Sequence, residues 1–280
     1  MKNGFELKCL SVKYPFQDSW ALKEANLGIP LGEFTVVLGA NGSGKSTLLK
    51  CLAGVQQWTS GSLTLNGLNR SVDNKGFNEH QILVSEDIIL PDLTIAKLEQ
   101  IYKVIWPQFR PEVFRRIIGY GSIEIKKTSK DLSRGQKILL QFALAIGTQV
   151  PIVLVDEVTA TLDPYVRRMV VEELRIHTQQ LGTVVLATNI ASETQHIDSH
   201  LILINKGNVL RSGSHHELRK HFSKKLFPVD EFVYDGKWVE VSRNDHGIFA
   251  VSEVDNHEHN DLNVVTLEEM FTYFVEKAKR

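Results

Sequence analysis

Residues 34–46 read Phe34-Thr35-Val36-Val37-Leu38-Gly39-Ala40-Asn41-Gly42-Ser43-Gly44-Lys45-Ser46. The first five are apolar or β-branched, the composition of a strand buried on both faces. The next eight fit the spacing GxxxxGK[ST], and a helix-like run follows to Leu52. Strand, glycine-rich loop and helix in that order make an anion cradle. Glycines at 39, 42 and 44 let backbone N–H groups turn inward, and the helix presents its positive end to the same place. The spacing brings Lys45 to the β and γ phosphates of a nucleotide and the Ser46 hydroxyl to Mg²⁺, with Ala40, Asn41, Ser43 and Thr47 completing the contact set.

A second element lies far along the chain. Ile152-Val153-Leu154-Val155 is an apolar strand that runs into Asp156-Glu157. Successive strand residues point to opposite faces, so the two carboxylates take different tasks. Asp156 suits a Mg²⁺ site, and Glu157 suits the polarising of a water that attacks the γ phosphate. Val184 to Ala187 is a third buried strand, before a helix expected over Ser192 to His196, and Pro164 to His177 reads as a helix between the second and third strands. Strands alternating with helices imply a parallel sheet. Phe5 to Val12, and Ser62 to Leu65 with its Asn66-Gly67 turn, alternate in polarity and predict a smaller antiparallel sheet. Leu93 to Lys127 is mostly helical in pattern.

Composition narrows the function classes. Apolar residues make up 42% and charged residues 23%, and Lys+Arg 32 balance Asp+Glu 33, so no basic groove for nucleic acid is advertised. The longest apolar runs fall far short of the roughly 20 residues that cross a bilayer, and the N-terminus lacks the apolar core of a leader. These features predict a chain that stays in the cytosol. Cys9 and Cys51 have no metal-type spacing and read as buried small hydrophobes, the scattered histidines fit no common metal site, and Lys224-Lys225 reads as a solvated pair.

Leu132-Ser133-Arg134-Gly135-Gln136, followed by the amphipathic run Ile138, Leu139, Phe142, Ala145 and Ile146, resembles the signature motif of the ATP-binding cassette (ABC) family. With the cradle and the strand-end carboxylates, the resemblance covers roughly residues 5 to 215. It implies an α/β fold of the P-loop NTPase class: a mixed, mainly parallel sheet core, an antiparallel β subdomain and a helical signature subdomain over about 86–147. It also implies ATP and Mg²⁺ as ligands and an ATPase that drives transport through a separate integral-membrane subunit, peripheral on the inner face of the membrane. Ser133, Gly135 and Gln136 would then meet the γ phosphate held by a second ABC subunit, like or unlike. Asp163, in Thr161-Leu162-Asp163, would contact that subunit, and Tyr14 would stack on adenine. Ser85-Glu86-Asp87 before Leu90-Pro91-Asp92-Leu93-Thr94, and the closing Thr266-Leu267-Glu268-Glu269-Met270-Phe271, resemble exporter cassettes of the ABC-2 type.

Three positions depart from the family pattern. Asn189 stands where the family has His, so an amide that cannot carry a proton near neutral pH replaces an imidazole, and slower hydrolysis is expected. The Gln that senses Mg²⁺ and water falls at Ser85 or Glu86, depending on one gap. Glu86 is favoured as a catalytic and metal-facing group, the alternative being a solvated loop charge. Val158 replaces the Pro after the catalytic Glu, which is expected to loosen that turn. Two further function classes stand beside the transporter reading: a low-turnover regulatory cassette, favoured by Asn189, and a soluble cassette ATPase, disfavoured by the absence of a basic arm or long coiled coil. The cassette is expected over 1–225. The remainder, 226–280, reads as an appended α+β unit with a hairpin at Asp235-Gly236-Lys237-Trp238 and a final helix opened by a Thr266/Glu269 capping box.

Overall fold

The computed structural model describes residues 4–69, 80–180, 182–233, 237–253 and 265–277. The chain opens with β1 (Gly4–Val12) and β2 (Leu22–Pro30), then β3 (Phe34–Leu38) and α1 (Lys45–Ala53). β4 (Ser60–Leu65) returns antiparallel to β1, and β5 (Leu68–Asn69) pairs with β4 across Asn66-Gly67. Both turn residues have positive φ, 52° and 81°, the twist that a two-residue hairpin requires. These strands form one antiparallel sheet in the order β2-β1-β4-β5. Cys9 is exposed on a bulge in β1, with φ 48° and its N–H donated to Asn26, whereas Cys51 is buried. The expectation of burial therefore fails at Cys9, because the bulge turns its side chain outward.

β6 (Gln81–Ser85) leads into three helices, α2 (Ile95–Ile105), α3 (Pro111–Tyr120) and α4 (Arg134–Gly147). The chain then alternates: β7 (Ile152–Asp156), α5 (Pro164–Gln179), β8 (Thr183–Thr188), β9 (His200–Asn205) and β10 (Asn208–Ser214). The second sheet runs β10-β9-β3-β8-β7-β6, parallel except for β10. Its period-2 alternation sorts side chains between two cores. Val36, Val153, Val155, Val184 and Leu186 face the layer containing α3, α4 and α5. Val37, Ile152, Leu154, Val185 and Ala187 face α1 and the antiparallel sheet. Strands covered on both faces read as unbroken apolar runs, which is why this sheet was the easiest element to foresee.

The helix expected at Ser192 to His196 is instead a single 3-10 turn, Ala191–Glu193. Glu193 is drawn to Arg167 at 3.2 Å and lies 3.5 Å from the Thr188 hydroxyl, so side chains rather than a helical ladder fix this segment. Val158 is fully buried in the larger core, so packing holds the turn that loss of Pro was expected to loosen.

After α6 (His215–Lys220) come β11 (Phe222–Phe227), β12 (Val239–Asn244), β13 (Gly247–Glu253) and α7 (Leu267–Lys277), with sheet order β11-β13-β12. This sheet begins at Phe222, a little before the expected boundary at 226. Phe222, Tyr273 and Phe274 pack edge to face and join the core beneath the parallel sheet. Lys224 is not solvated as expected: it pairs with Glu269 at 2.6 Å and lies over the Phe249 ring. Thr266 and Glu269 exchange the two bonds of the capping box. Asp235 and Gly236 of the expected hairpin lie outside the described residues.

Candidate functional site

The site is assembled by strand register. Leu38 of β3 pairs with Thr188 of β8, and Ala187 of β8 pairs with Asp156 of β7, which pairs in turn with Ser85 of β6. The residues just beyond these strand ends are Gly39, Asn189, Glu157 and Glu86, so four segments far apart in sequence reach one edge of the sheet. Carboxyl ends of parallel strands are where open α/β sheets hold ligands.

In the loop from β3 to α1, Gly42 and Gly44 have φ of 73° and 110°, and a Cβ on Gly44 would lie 2.4 Å from the Ala21 carbonyl. No other residue fits that backbone. Gly44 caps α1 without any side-chain bond, which leaves the first-turn N–H groups to an outside acceptor. The loop is braced from outside: Ser43 accepts from the Gly207 N–H at 2.8 Å, and Gly207 accepts from Lys23 at 2.9 Å. Ser43 Oγ is buried without a hydrogen-bond partner. Tyr14 is half-buried, with its hydroxyl 3.2 Å from Thr47 Oγ1, which sets its ring beside the start of α1.

Lys45 is 2% exposed, and its Nζ donates to the carbonyls of Gly39 at 2.7 Å and Ala40 at 2.9 Å. A buried ammonium also needs a counter-ion, and Glu157 Oε1 supplies it at 2.6 Å. Glu157 takes a φ of 51°, a strained value for a residue with a side chain. The Ser46 hydroxyl donates to Asp156 Oδ1 at 2.9 Å. Burial raises the Asp156 carboxyl to about 6; Ser46 opposes this, and the neighbouring charge of Glu157 adds to it. A buried pair of hard oxygens with a destabilised carboxylate fits a small divalent cation, whose charge would reverse that penalty.

Three further contacts close the edge. Asn189 Nδ2 donates to Asn41 Oδ1 at 2.9 Å. Glu86 accepts from the Arg134 guanidinium, and its neighbour Asp87 pairs with Lys50 of α1 at 2.6 Å. The structure thus turns Glu86 toward the signature helix, while Ser46 and Asp156 bond to each other. Ser85, the alternative position, is buried at the end of β6 with its hydroxyl unpartnered. Gln81 is committed to the Leu52 carbonyl.

Ser133 caps α4, accepting from Gln136 N at 3.2 Å, while Gln136 Oε1 accepts from Ser133 N and Nε2 donates to the Gly121 carbonyl. Asp163 caps α5, accepting from the N–H groups of Tyr165 and Val166. Ser133, Gly135, Gln136, Thr161 and Asp163 line one open pocket of about 520 Å³, to which the glycine loop contributes nothing. The structure therefore brings together Gly39 to Thr47, Asp156, Glu157, Asn189 and Tyr14, and gathers Ser133, Gly135, Gln136 and Asp163 elsewhere. The carboxylate–cation contacts of Lys45, Lys50 and Arg134 were not foreseen from sequence, because each depends on strand register.

Residues 22–160 match the model of the ABC transporter family. A sulfate/thiosulfate import ATP-binding protein, CysA 2 of Chromobacterium violaceum, is 29% identical over 231 residues, covering 80% of this chain and 62% of the relative. A phosphonates import ATP-binding protein, PhnC 3 of a Nostoc species, is 28% identical over 247 residues, covering 82% of this chain and 94% of the relative. The chain spans 58% of a spermidine/putrescine import protein, PotA of Haemophilus influenzae, at 28% identity over 217 residues and 74% of this chain. Among solved structures, the ATP-binding subunit of an ABC transporter superposes with TM-score 0.67 at 20% identity, covering 77% of this chain and 92% of that one. A dimeric ATP-binding cassette in a post-hydrolysis state with ADP and Pi gives 0.64 at 21% identity, over 75% and 98%. Those identities speak to the fold alone. No helix among the described residues is long and apolar enough to cross a membrane. Motifs, fold and relatives agree that this chain carries an ATP-binding cassette domain of the ABC transporter family.

Proposed function

We propose that the chain binds and hydrolyses ATP as the nucleotide-binding subunit of a transporter, closing on a second cassette and acting on a separate integral-membrane subunit. The observation that carries this reading is the meeting of Lys45 with Glu157 and of Ser46 with Asp156, a cation and a hydroxyl from the glycine loop against two strand-end carboxylates. Lys45 and the free amides of α1 hold the phosphates, with Tyr14 as platform for the base. Ser46 and Asp156 hold Mg²⁺, which when bound supplies positive charge to the phosphate oxygens. Glu157 orients and deprotonates the attacking water, and Asn189 donates a hydrogen bond at the γ phosphate. Glu86 is left out of the metal set, because Arg134 already occupies its carboxylate.

Ser133 and Gly135 complete the site of the companion cassette from the open signature pocket, with Asp163 at the contact between subunits. Asn189 in place of an imidazole supports a slow cassette, paired with itself or with a faster, unlike one. The direction proposed is outward, on the exporter-like segments at 85–94 and 266–271; the import named for the relatives is the competing outcome. ATP titration by calorimetry with Mg²⁺, together with phosphate release, tests the core of the reading. Absence of ATP binding would overturn it, and transport assays in vesicles with the membrane subunit decide the direction.

A further inference from the structure

We infer that Asn41 is a positioning residue for Asn189, setting the rotation of its carboxamide so that one N–H remains available to the phosphate cradle. This rests on the reading of the cradle as a site of ATP hydrolysis and gives Asn41 a role in it beyond phosphate contact. The backbone at 189 is already fixed, because Thr188 ends β8 in register with Leu38 and its hydroxyl accepts from the Ile190 N–H at 3.0 Å. What remains free is the Asn189 side chain, which is exposed and would otherwise sample several rotamers. Its Nδ2 donates to Asn41 Oδ1 at 2.9 Å, across 148 residues of sequence. A primary amide has two N–H donors and one carbonyl, so a single bond to Asn41 chooses which way the amide faces and leaves the second donor unspent. Asn41 lies in the loop that cradles phosphate, so the same residue that shapes the loop aims the amide beside it.

Because both partners are exposed, the bond adds little to stability, and truncating either is expected to leave the thermal midpoint of unfolding unchanged. Its value is directional. Asn41→Ala is expected to lower kcat for ATP about 2- to 10-fold, the worth of one hydrogen bond, with KM changed by about twofold or less. Asn41→Ser, whose hydroxyl is too short to reach, is expected to fall with it. Asn189→Ala is expected to lose a similar factor, and the double variant Asn41→Ala/Asn189→Ala no more than the worse single, since each removes the same aimed donor. A purely structural role for Asn41 would instead multiply the two losses, and that result, or an Asn41→Ala enzyme with unchanged kcat, overturns the inference. ATP turnover that is absent from the wild type would overturn the functional reading itself and take this inference with it; turnover with multiplied losses leaves that reading standing.

Discussion

Two helices begin at loops proposed to meet phosphate, and they are furnished in opposite ways. α1 starts beside a buried cation, a hydroxyl and two carboxylates, all of them in place within one chain. α4 starts at Ser133 and Gln136, which spend their polar atoms on each other and on Gly121, and the Asp163 that lines the same pocket is already committed to capping α5. A helix start supplies amides and partial positive charge in both cases. Only the first adds a full charge of its own. The second offers backbone and shape, so it can complete an anion site but not create one, which is why the proposed function assigns the two halves to different molecules.

The sharpest break of that comparison is at Lys45. Lys45→Met removes the only full cation bonded within the cradle among the described residues and leaves Glu157 facing the phosphates uncompensated. Calorimetry is expected to find ATP affinity reduced by about 100-fold or more, in line with the loss of a buried charge partner. An affinity close to wild type would mean that the glycine loop is not where the phosphates bind. Glu157→Gln comes next: it keeps the shape and removes the base, so phosphate release is expected to fall by about 10²- to 10³-fold while ATP is still bound. Size-exclusion chromatography with ATP and Mg²⁺ is expected to show a retained dimer. A monomer under those conditions would separate the two halves that the comparison joins.

Asp156 yields a pH test. Its folded carboxyl is raised to about 6 by burial, above the usual carboxylate value, so the folded chain holds this proton more tightly than the unfolded chain does. The folded state binds more protons between about pH 4 and pH 6, and stability from this group is lost as pH rises through that window. Asp156→Asn is expected to flatten that part of the stability profile and to raise metal-free stability at neutral pH by on the order of 2 kcal/mol, read by urea unfolding. Because Mg²⁺ and the proton compete for the same oxygen, Mg²⁺ affinity in the wild type is expected to weaken below about pH 6. A profile unchanged by the substitution would remove Asp156 from the buried pair.

What was legible in the sequence follows from range. The glycine loop, the strand-end carboxylates and the signature are contiguous, and their chemistry depends on spacings of a few residues. The parallel sheet followed from apolar runs alternating with helical segments. Contacts such as Asn41 with Asn189 or Asp87 with Lys50 depend on which strands are neighbours and in what register, and no local pattern carries that. The signature serine and glutamine were foreseen as ligand groups, yet their internal capping bonds use the same atoms, a double duty that spacing does not disclose. The helix expected over Ser192 to His196 is a turn at 191–193, where Glu193 is tied to Arg167, a residue outside the segment that no local pattern points to.

The smallest expected effect concerns the bridge between the two halves, where Glu86 meets Arg134. The Arg134 side chain is 75% exposed, so the pair sits in water and contributes at most about 1 kcal/mol, less at high salt. Arg134→Ala and Glu86→Gln are therefore expected to leave the unfolding midpoint nearly unmoved. The informative measurement is the Mg²⁺ concentration needed for half-maximal phosphate release. If Glu86 belongs to α4, Glu86→Gln shifts that concentration by about twofold or less, whereas losing a carboxylate that ligates the ion would shift it by about tenfold or more. The small shift keeps the metal with Ser46 and Asp156 on the α1 side. A tenfold shift would return Glu86 to the metal and make Arg134 a latch on a working ligand, so that the two halves would share a residue within one chain.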